Sequence, residues 1–223
     1  MKSSDYWKFI DFSKYKSILC LDGVLPKAEF FKNINLPIIA ADGAANVLFD
    51  RGITPNVIIG DLDSVRKDLL QIIPYVKSLD QDYSDFQKAL GYVASESLCP
   101  SIICGVNGGC LDHIINNINI FLETKSALVD DGVVGLCLEG NNVFKLSENT
   151  KLSIFGMPEC IISSQGLKWN LANSKLTFPG NASLSNRASL EDVVIDVKQG
   201  KALLLIYTEK VTDAGIEGAS LTL

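Results

Sequence analysis

The chain has 223 residues, of which 47% are hydrophobic and 21% are charged, and its net charge is −6. This composition is typical of a globular protein with one large core or two modest ones, and it argues against a disordered chain. No apolar run approaches the roughly 20 residues that cross a bilayer, the N-terminus lacks the apolar core of a signal peptide, and Lys and Arg form no cluster suited to nucleic acid. We therefore expect a cytoplasmic protein with no membrane or nucleic-acid partner.

Short apolar runs alternate with helical segments through the first half of the chain. Runs of this length suit strands buried on both faces of a parallel sheet, and they cover residues 18–21, 38–41, 57–59, 76–79, 102–104 and 127–129. A helix is predicted from Ser84, with Gln87 as its capping-box partner, and another from about Asp112. The alternation predicts a doubly wound, mostly parallel α/β domain over residues 1–131.

The pattern changes after about Gly132. Short apolar or alternating segments, separated by turn residues, predict strands at 133–138, 143–146, 151–155, 160–163, 175–178, 193–197 and 202–207. No long helix fits this half. The segments indicate an antiparallel sandwich or barrel, and we interpret residues 132–223 as a β-sandwich domain.

Carboxylates follow five of the six predicted parallel strands, at Asp22, Asp42, Asp61 with Asp63, Asp80 with Asp82, and Asp130 with Asp131. Parallel strands end at one edge of a sheet, so these charges would gather there and require a cation, for which hard oxygen ligands favour magnesium or calcium. A single Asp-Gly step also suits an ordinary turn. The i, i+2 spacing of Asp61 and Asp63 can direct both carboxylates at one ion. Together with Asp42 and Asp85, this spacing predicts a metal–phosphate site.

A glycine-rich turn over residues 105–109 follows a predicted strand and precedes a helix. Backbone amides in such a turn can cradle phosphate, although the sequence lacks the Lys-Ser/Thr ending of a Walker A loop. An ordinary turn is an equal alternative. His113, shortly after the turn, is interpreted as a structural histidine.

Taken in order, the motifs resemble those of the thiamin pyrophosphokinase family. The resemblance rests on residues 41–46 (ADGAAN), 55–64 (PNVIIGDLDS), 80–90 (DQDYSDFQKAL), 108–113 (GGCLDH), 166–171 (GLKWNL) and 183–186 (SLSN). It implies an enzyme that transfers the pyrophosphoryl group of ATP to the hydroxyl of thiamin, giving thiamin diphosphate and AMP, with Mg²⁺ as cofactor.

The resemblance also implies roles for individual residues. Asp61, Asp63 and Asp85 are expected to bind magnesium and phosphate, with Asp42 in support. Either Asp85 or Asp112 would orient or deprotonate the attacking hydroxyl. The remaining residues expected to contact ATP or the reacting hydroxyl are Gly43, Gln81, Lys88, Gly108 and Gly109.

On the thiamin side, the resemblance implies that Trp169 packs on the cationic thiazolium ring. Ser183, Ser185 and Asn186 belong to the segment expected to bind the aminopyrimidine. A homodimer is implied, with thiamin between the α/β domain of one subunit and the β domain of the other. Without the resemblance, Trp169 would be interpreted as a core aromatic residue.

One position departs from the family pattern. The family usually has an arginine, suited to phosphate, where this chain has Cys110. Its loss would weaken ATP binding, or another residue such as Lys88 or Arg187 would compensate. Two alternatives stay open: a non-catalytic sensor of thiamin or nucleotide on the same fold, which Cys110 favours, and a related magnesium-dependent phosphotransferase that acts on another small alcohol.

Overall fold

The structure, a computed structural model, describes residues 9–208, 211–212 and 215–216. Among the described residues, its contacts divide the chain into two compact units: residues 11–131 form the first, and residues from Gly132 onward, together with Phe9 and Ile10, form the second. No helix in the described ranges is long and apolar enough to cross a membrane.

Six parallel strands form the sheet of the first unit, and their order is β6-β5-β1-β2-β3-β4. The strands are β1 (Ser17–Cys20), β2 (Ile38–Ala41), β3 (Val57–Gly60), β4 (Tyr75–Lys77), β5 (Ser101–Cys104) and β6 (Ala127–Asp130). Every residue of β1, β2, β3, β5 and β6 is buried, as expected for strands covered on both faces. The chain order reverses between β1 and β5, so the crevice at their carboxyl ends is the usual ligand position in an open α/β sheet.

Four helices belong to this unit: α1 (Ala28–Lys32), α2 (Ala44–Asp50), α3 (Asp85–Ser95) and α4 (Leu111–Phe121). The predicted capping box of α3 is confirmed, because the Ser84 hydroxyl accepts from the Gln87 amide and the Gln87 side chain accepts from the Ser84 amide. This cap fixes the first residue of α3, Asp85. The packing of α4 is looser, since Leu111 and Ile115 are exposed.

The second unit is antiparallel, with strands β7 (Val133–Lys145), β8 (Lys151–Gln165), β9 (Ser174–Thr177), β10 (Ala182–Arg187) and β11 (Asp192–Tyr207). The order is β10-β8-β11-β7, and β9 pairs with the later part of β8. Short strands β12 (Val211–Thr212) and β13 (Gly215–Ile216) pair with each other. Both halves of the long strands contribute to one hydrophobic core, so the sheet folds over on itself.

The strand count predicted for the second unit is wrong in two respects. Three pairs of predicted strands are in fact the single long strands β7, β8 and β11. The turn-like residues between the members of these pairs lie within the strands, where the pairing of β11 with β7 and β8 shifts register near Val197 and Gly200. Strand β10 was not predicted, because its residues are mostly polar and only Asn186 is buried. The fold class itself is confirmed: parallel α/β strands are followed by antiparallel β strands.

Candidate active site

Three carboxylates meet at the carboxyl edge of the first sheet. Asp42 follows β2, Asp61 follows β3 and Asp85 begins α3, and one oxygen of each lies within 4.8 Å of the others. Asp42 is only 5% exposed, and its Oδ1 is buried without a hydrogen-bond partner. An orphaned buried carboxylate oxygen beside two more carboxylates is the donor set that a hard divalent cation requires.

Local backbone geometry builds this cluster. Asp42 has a left-handed φ of 43°, and a Cβ at Gly60 would lie 2.9 Å from its Cβ. Only glycine therefore lets β3 pass so close to Asp42. Gly43 has a similar role, because a Cβ there would lie 2.5 Å from Oδ2 of Asp22.

The charges in the cluster act on one another. Burial raises the pKa of Asp42, and the carboxylates of Asp85, Asp61 and Asp63 raise it further, against a hydrogen bond from Ser64. The pKa of Asp61 is lowered, first by the backbone N–H of Asp63 and then by Gln81 and Lys88. The mutual repulsion at Asp42 is what a bound cation would relieve.

Lys88 is the ammonium group beside this cluster. Its side chain is 6% exposed, and Nζ lies 3.0 Å from Oδ1 of Asp85, one turn away on α3. A carboxylate this close offsets part of the cost of burying the ammonium group. The described geometry therefore places a positively charged group directly beside the carboxylate of Asp85.

An open cavity of about 480 Å³ contains the cluster. Among the residues predicted from the sequence, its wall includes Asp42, Gly43, Asp61, Gln81, Asp85, Lys88, Gly108 and Gly109. Asp22, one of the predicted strand-end carboxylates, lines it too, as do residues that the sequence did not single out for ligand binding, among them Leu21, Ser64, Tyr83 and Asn117. His113 lines the cavity as well and is exposed, so it is not a buried core histidine. Its place in the GGCLDH segment was the available signal.

Asp63 and Asp112 lie outside this cavity wall. Leu62, with a left-handed φ of 68°, interrupts the extended backbone on which the i, i+2 spacing depends, and Asp63 accepts from the Ser64 hydroxyl at 2.9 Å. Oδ1 of Asp112 accepts from the His113 amide at 2.9 Å. Their roles in metal binding and proton transfer stay predictions.

Asp130 does not join the acidic edge, contrary to expectation. Its carboxylate is 2% exposed and accepts from the backbone amides of Gly105, Val106 and Asn107 at 2.6, 3.2 and 2.8 Å. The three amides that the sequence suggested as a phosphate cradle therefore hold an internal anion. Gly108 and Gly109, which follow them, form part of the cavity wall.

The pKa of Asp130 gives stability a pH dependence of definite sign. Burial raises this pKa to about 6 from 3.8, against the three amides, which lower it. Between these values the folded protein binds more protons than the unfolded chain, so the free energy of unfolding falls as pH rises, by about 3 kcal/mol in all. We expect the stability difference between wild type and Asp130→Asn, measured by urea unfolding, to shrink by that order between pH 4 and pH 7. A difference independent of pH would contradict this assignment.

In the second unit, Trp169 is 55% exposed, and the side chain of Asn186 forms hydrogen bonds with its backbone. The Asn186 side chain, 1% exposed, accepts from the Trp169 amide at 3.2 Å and donates to its carbonyl at 2.7 Å. Nδ2 also donates to Ser183 at 3.1 Å, and the Ser185 amide donates to Ser153. These bonds position Trp169. Contacts of Ser183, Ser185 and Asn186 with thiamin stay predictions.

The exposed ring of Trp169 already has a cationic neighbour. Nζ of Lys168 lies 4.6 Å from the ring centroid, within the range of a cation–π interaction. The ring therefore presents an aromatic face that suits a positive charge, and a core role for Trp169 is excluded by its exposure.

Lys88 and Arg187 are the two residues expected to compensate for the family arginine that Cys110 replaces. Cys110 is the exposed N-cap of α4, whereas Lys88 lines the cavity. Arg187 belongs to the second unit, where Nη1 donates to the Asn149 carbonyl at 3.2 Å. By position, Lys88 is the better candidate for phosphate.

Comparison with known proteins gives matches in both halves of the chain. Residues 29–129 match the family model "Thiamin pyrophosphokinase, catalytic domain", and residues 142–202 match "Thiamin pyrophosphokinase, vitamin B1 binding domain". Thiamine pyrophosphokinase 3 of Oryza sativa subsp. japonica is 28% identical over 203 residues, covering 74% of this chain and 76% of the relative. Thiamine pyrophosphokinase 2 of Arabidopsis thaliana is 26% identical over 216 residues, covering 80% of each.

Solved structures show the same fold. Thiamine pyrophosphokinase from Bacillus subtilis superposes with a TM-score of 0.75 at 20% identity, covering 87% of this chain and 100% of that one. Yeast thiamin pyrophosphokinase gives a TM-score of 0.75 at 18% identity and covers 87% of each chain.

Proposed function

Because this chain belongs to the thiamin pyrophosphokinase family and is an enzyme of that family, we propose that it transfers the pyrophosphoryl group of ATP to the hydroxyl of thiamin, with magnesium held by Asp42, Asp61 and Asp85. The observation that carries the proposal is the three-carboxylate cluster with its orphaned Asp42 oxygen. It lies in the part of the chain that matches the catalytic-domain model.

Magnesium, when bound, would neutralise the phosphate charge that opposes attack by the hydroxyl oxygen. The chain's own groups do the rest. Asp85, fixed at the capped start of α3, is placed to orient the hydroxyl and accept its proton as the new O–P bond forms and the bond between the α- and β-phosphates breaks. Asp112 is the alternative acceptor. Gln81 lines the same cavity, which supports its place near the hydroxyl.

The nucleotide phosphates are proposed to contact Lys88 and the backbone of Gly43, Gly108 and Gly109, which share the cavity wall. Lys88 would provide the positive charge that the family arginine supplies elsewhere. Asp63 is proposed to assist at the metal.

We assign residues 1–131 to catalysis and residues 132–223 to thiamin binding, in line with the two family models. Thiamin would stack on Trp169, with Ser183, Ser185 and Asn186 behind it. A homodimer is proposed, with each thiamin between unlike units of two subunits. Exposed apolar side chains on both units support it, at Leu111 and Ile115 on α4 and at Leu184 and Leu190. Light scattering on the purified protein tests it, and a monomeric mass would rule it out.

Purified protein incubated with thiamin, ATP and Mg²⁺ should produce thiamin diphosphate and AMP in equal amounts. Omitting Mg²⁺ or adding excess EDTA should stop the reaction. Tight thiamin binding without AMP would establish a sensor, the alternative that Cys110 favours. AMP formation only with another small alcohol would establish a different phosphotransferase.

Trp169→Ala should raise the KM for thiamin by about 10-fold or more, because stacking of a cation on an exposed indole contributes about 1–2 kcal/mol and the ring adds apolar contact. The KM for ATP should change by less than twofold. Phe178, also exposed in the second unit, is 57% accessible, so Phe178→Ala serves as a matched control. An unchanged thiamin KM in Trp169→Ala would remove Trp169 from the thiamin site.

A further inference from the structure

We propose that Asp130 is a positioning residue for nucleotide binding: its buried carboxylate holds the 105–107 turn, and so sets the Gly108–Gly109 segment in the cavity wall. This rests on the proposed function, since it assigns that wall to ATP phosphates. Asp130 itself does not line the cavity, so any effect on the nucleotide must pass through the turn.

The contact is a three-point clamp. Oδ1 accepts from Gly105 and Val106, and Oδ2 accepts from Asn107, so both oxygens are engaged by consecutive amides. Hydrogen bonds to an ionised acceptor are stronger than neutral ones. The clamp therefore fixes the direction in which the chain leaves β5 and enters the glycine pair.

On its other side, the turn is packed against the segment that follows β1 with no space to shift. The Val24 amide donates to the Asn107 carbonyl at 2.6 Å, and the Leu21 amide donates to the Cys104 carbonyl at 2.8 Å. A Cβ on Gly23 would lie 2.2 Å from the Gly105 carbonyl oxygen, and a Cβ on Gly105 would lie 2.4 Å from that of Leu21. Two loops at the β1–β5 reversal are thus interlocked.

The same close packing extends to Gly108, which lines the cavity. Gly108 has a left-handed φ of 105°, and a Cβ there would lie 2.9 Å from the Val24 nitrogen. Leu21, Asp22, Gly108 and Gly109 all line the cavity. The end of the turn that Oδ2 holds, Asn107, comes directly before Gly108, so the cavity wall depends on that bond.

Burying a carboxylate in this way is costly, and a merely structural turn does not require it. Repulsion by Asp131 adds to that cost. A role in shaping the ligand wall explains why an acid rather than a neutral amide occupies this position.

The variant Asp130→Asn distinguishes a role in nucleotide binding from a purely structural role in the 105–107 turn. The asparagine oxygen can still accept two amides, but its NH₂ group would face the Asn107 amide, so the Asn107–Gly109 end of the turn loosens. We expect the Kd for Mg-ATP, measured by calorimetry, to rise about 10-fold, as for loss of one charged hydrogen bond. The thiamin KM should stay within about twofold. A Kd for Mg-ATP within twofold of wild type would overturn the proposal.

Ser126→Ala is the matched control. Ser126 is 7% exposed at the other end of β6, where its hydroxyl accepts from the Ser101 amide at 3.4 Å. This change should lower the melting temperature without altering the Kd for Mg-ATP. An equal rise in Kd in both variants would show that general destabilisation is responsible, and would overturn the proposal.

If Asp130→Asn fails to fold, amide hydrogen exchange in the wild-type protein tests the proposal instead. Mg-ATP should slow exchange of the amides of residues 108 and 109, and absence of protection there would overturn the proposal. The Kd and the exchange rates can be measured without turnover. A protein that binds Mg-ATP but makes no thiamin diphosphate would therefore contradict the proposed function and leave the proposal for Asp130 intact.

Discussion

Asp61→Asn is expected to lower kcat by about 1,000-fold or more while leaving the fold intact, because one charged member of the three-carboxylate metal set is lost. Asp61 is partly exposed, and its carboxylate belongs to a cluster that is already repulsive. The Asp63 amide, Gln81 and Lys88 nevertheless lower the pKa of Asp61, so its charge is favourable in the folded state, and removing it should lower the melting temperature of the metal-free protein slightly. The measurement pairs steady-state kinetics with thermal unfolding.

Magnesium gives this variant a second readout that does not depend on turnover. A ligand that binds only the folded state at 100 times its Kd adds about 2.7 kcal/mol of stability. Wild-type protein should show a Mg²⁺-dependent rise in melting temperature that Asp61→Asn largely loses.

Asp192→Asn provides the charge-matched control. Asp192 is an exposed residue of β11 whose side chain pairs with the exposed Lys145 at 3.1 Å, and such surface pairs contribute little. Its activity and magnesium response should match wild type. If Asp61→Asn retained more than about a tenth of wild-type kcat under saturating Mg²⁺, Asp61 would have to be removed from the metal site.

The parts of this site that the sequence predicts are those fixed by local rules. A buried parallel strand must end at the sheet edge, so Asp42 and Asp61 reach one place without further information. The capping box sets the start of α3 and therefore the position of Asp85. Each of these inferences depends on a few adjacent residues.

Other parts depend on contacts between distant segments. Asp130 follows its strand just as Asp42 does, and nothing nearby in the sequence shows that it turns toward the amides of residues 105–107, more than 20 positions away. The left-handed backbone at Leu62 likewise breaks the extended geometry that the i, i+2 spacing assumed, so Asp63 lies outside the cavity wall although its amide donates to Oδ1 of Asp61 at 3.3 Å. In the second unit, register shifts convert apparent turns into continuous strands.

Lys88→Met is expected to raise the KM for ATP about 10-fold and to lower kcat by about 100-fold, while Lys88→Arg should retain part of the activity. The reason is the position of Nζ, buried at 3.0 Å from Asp85 in a cavity otherwise dominated by carboxylates. Methionine keeps most of the length and apolar contact of the side chain but removes its charge. The triphosphate would then face Asp42, Asp61 and Asp85 with less positive charge beside them, and close charges inside a protein interact by several kcal/mol.

Three further variants test whether Lys88 replaces the family arginine missing at Cys110. Lys77→Met removes an exposed charge at the end of β4 and should leave both constants unchanged. In Cys110→Arg combined with Lys88→Met, the restored arginine should recover part of the ATP affinity if both positions serve the same phosphate. If Arg187→Met weakened ATP binding and Lys88→Met did not, Arg187 would be the compensating residue. The buried ion pair of Lys88 with Asp85 argues that Lys88 is the compensating residue, because the pair holds the ammonium group in the wall of the cavity proposed to bind the phosphates.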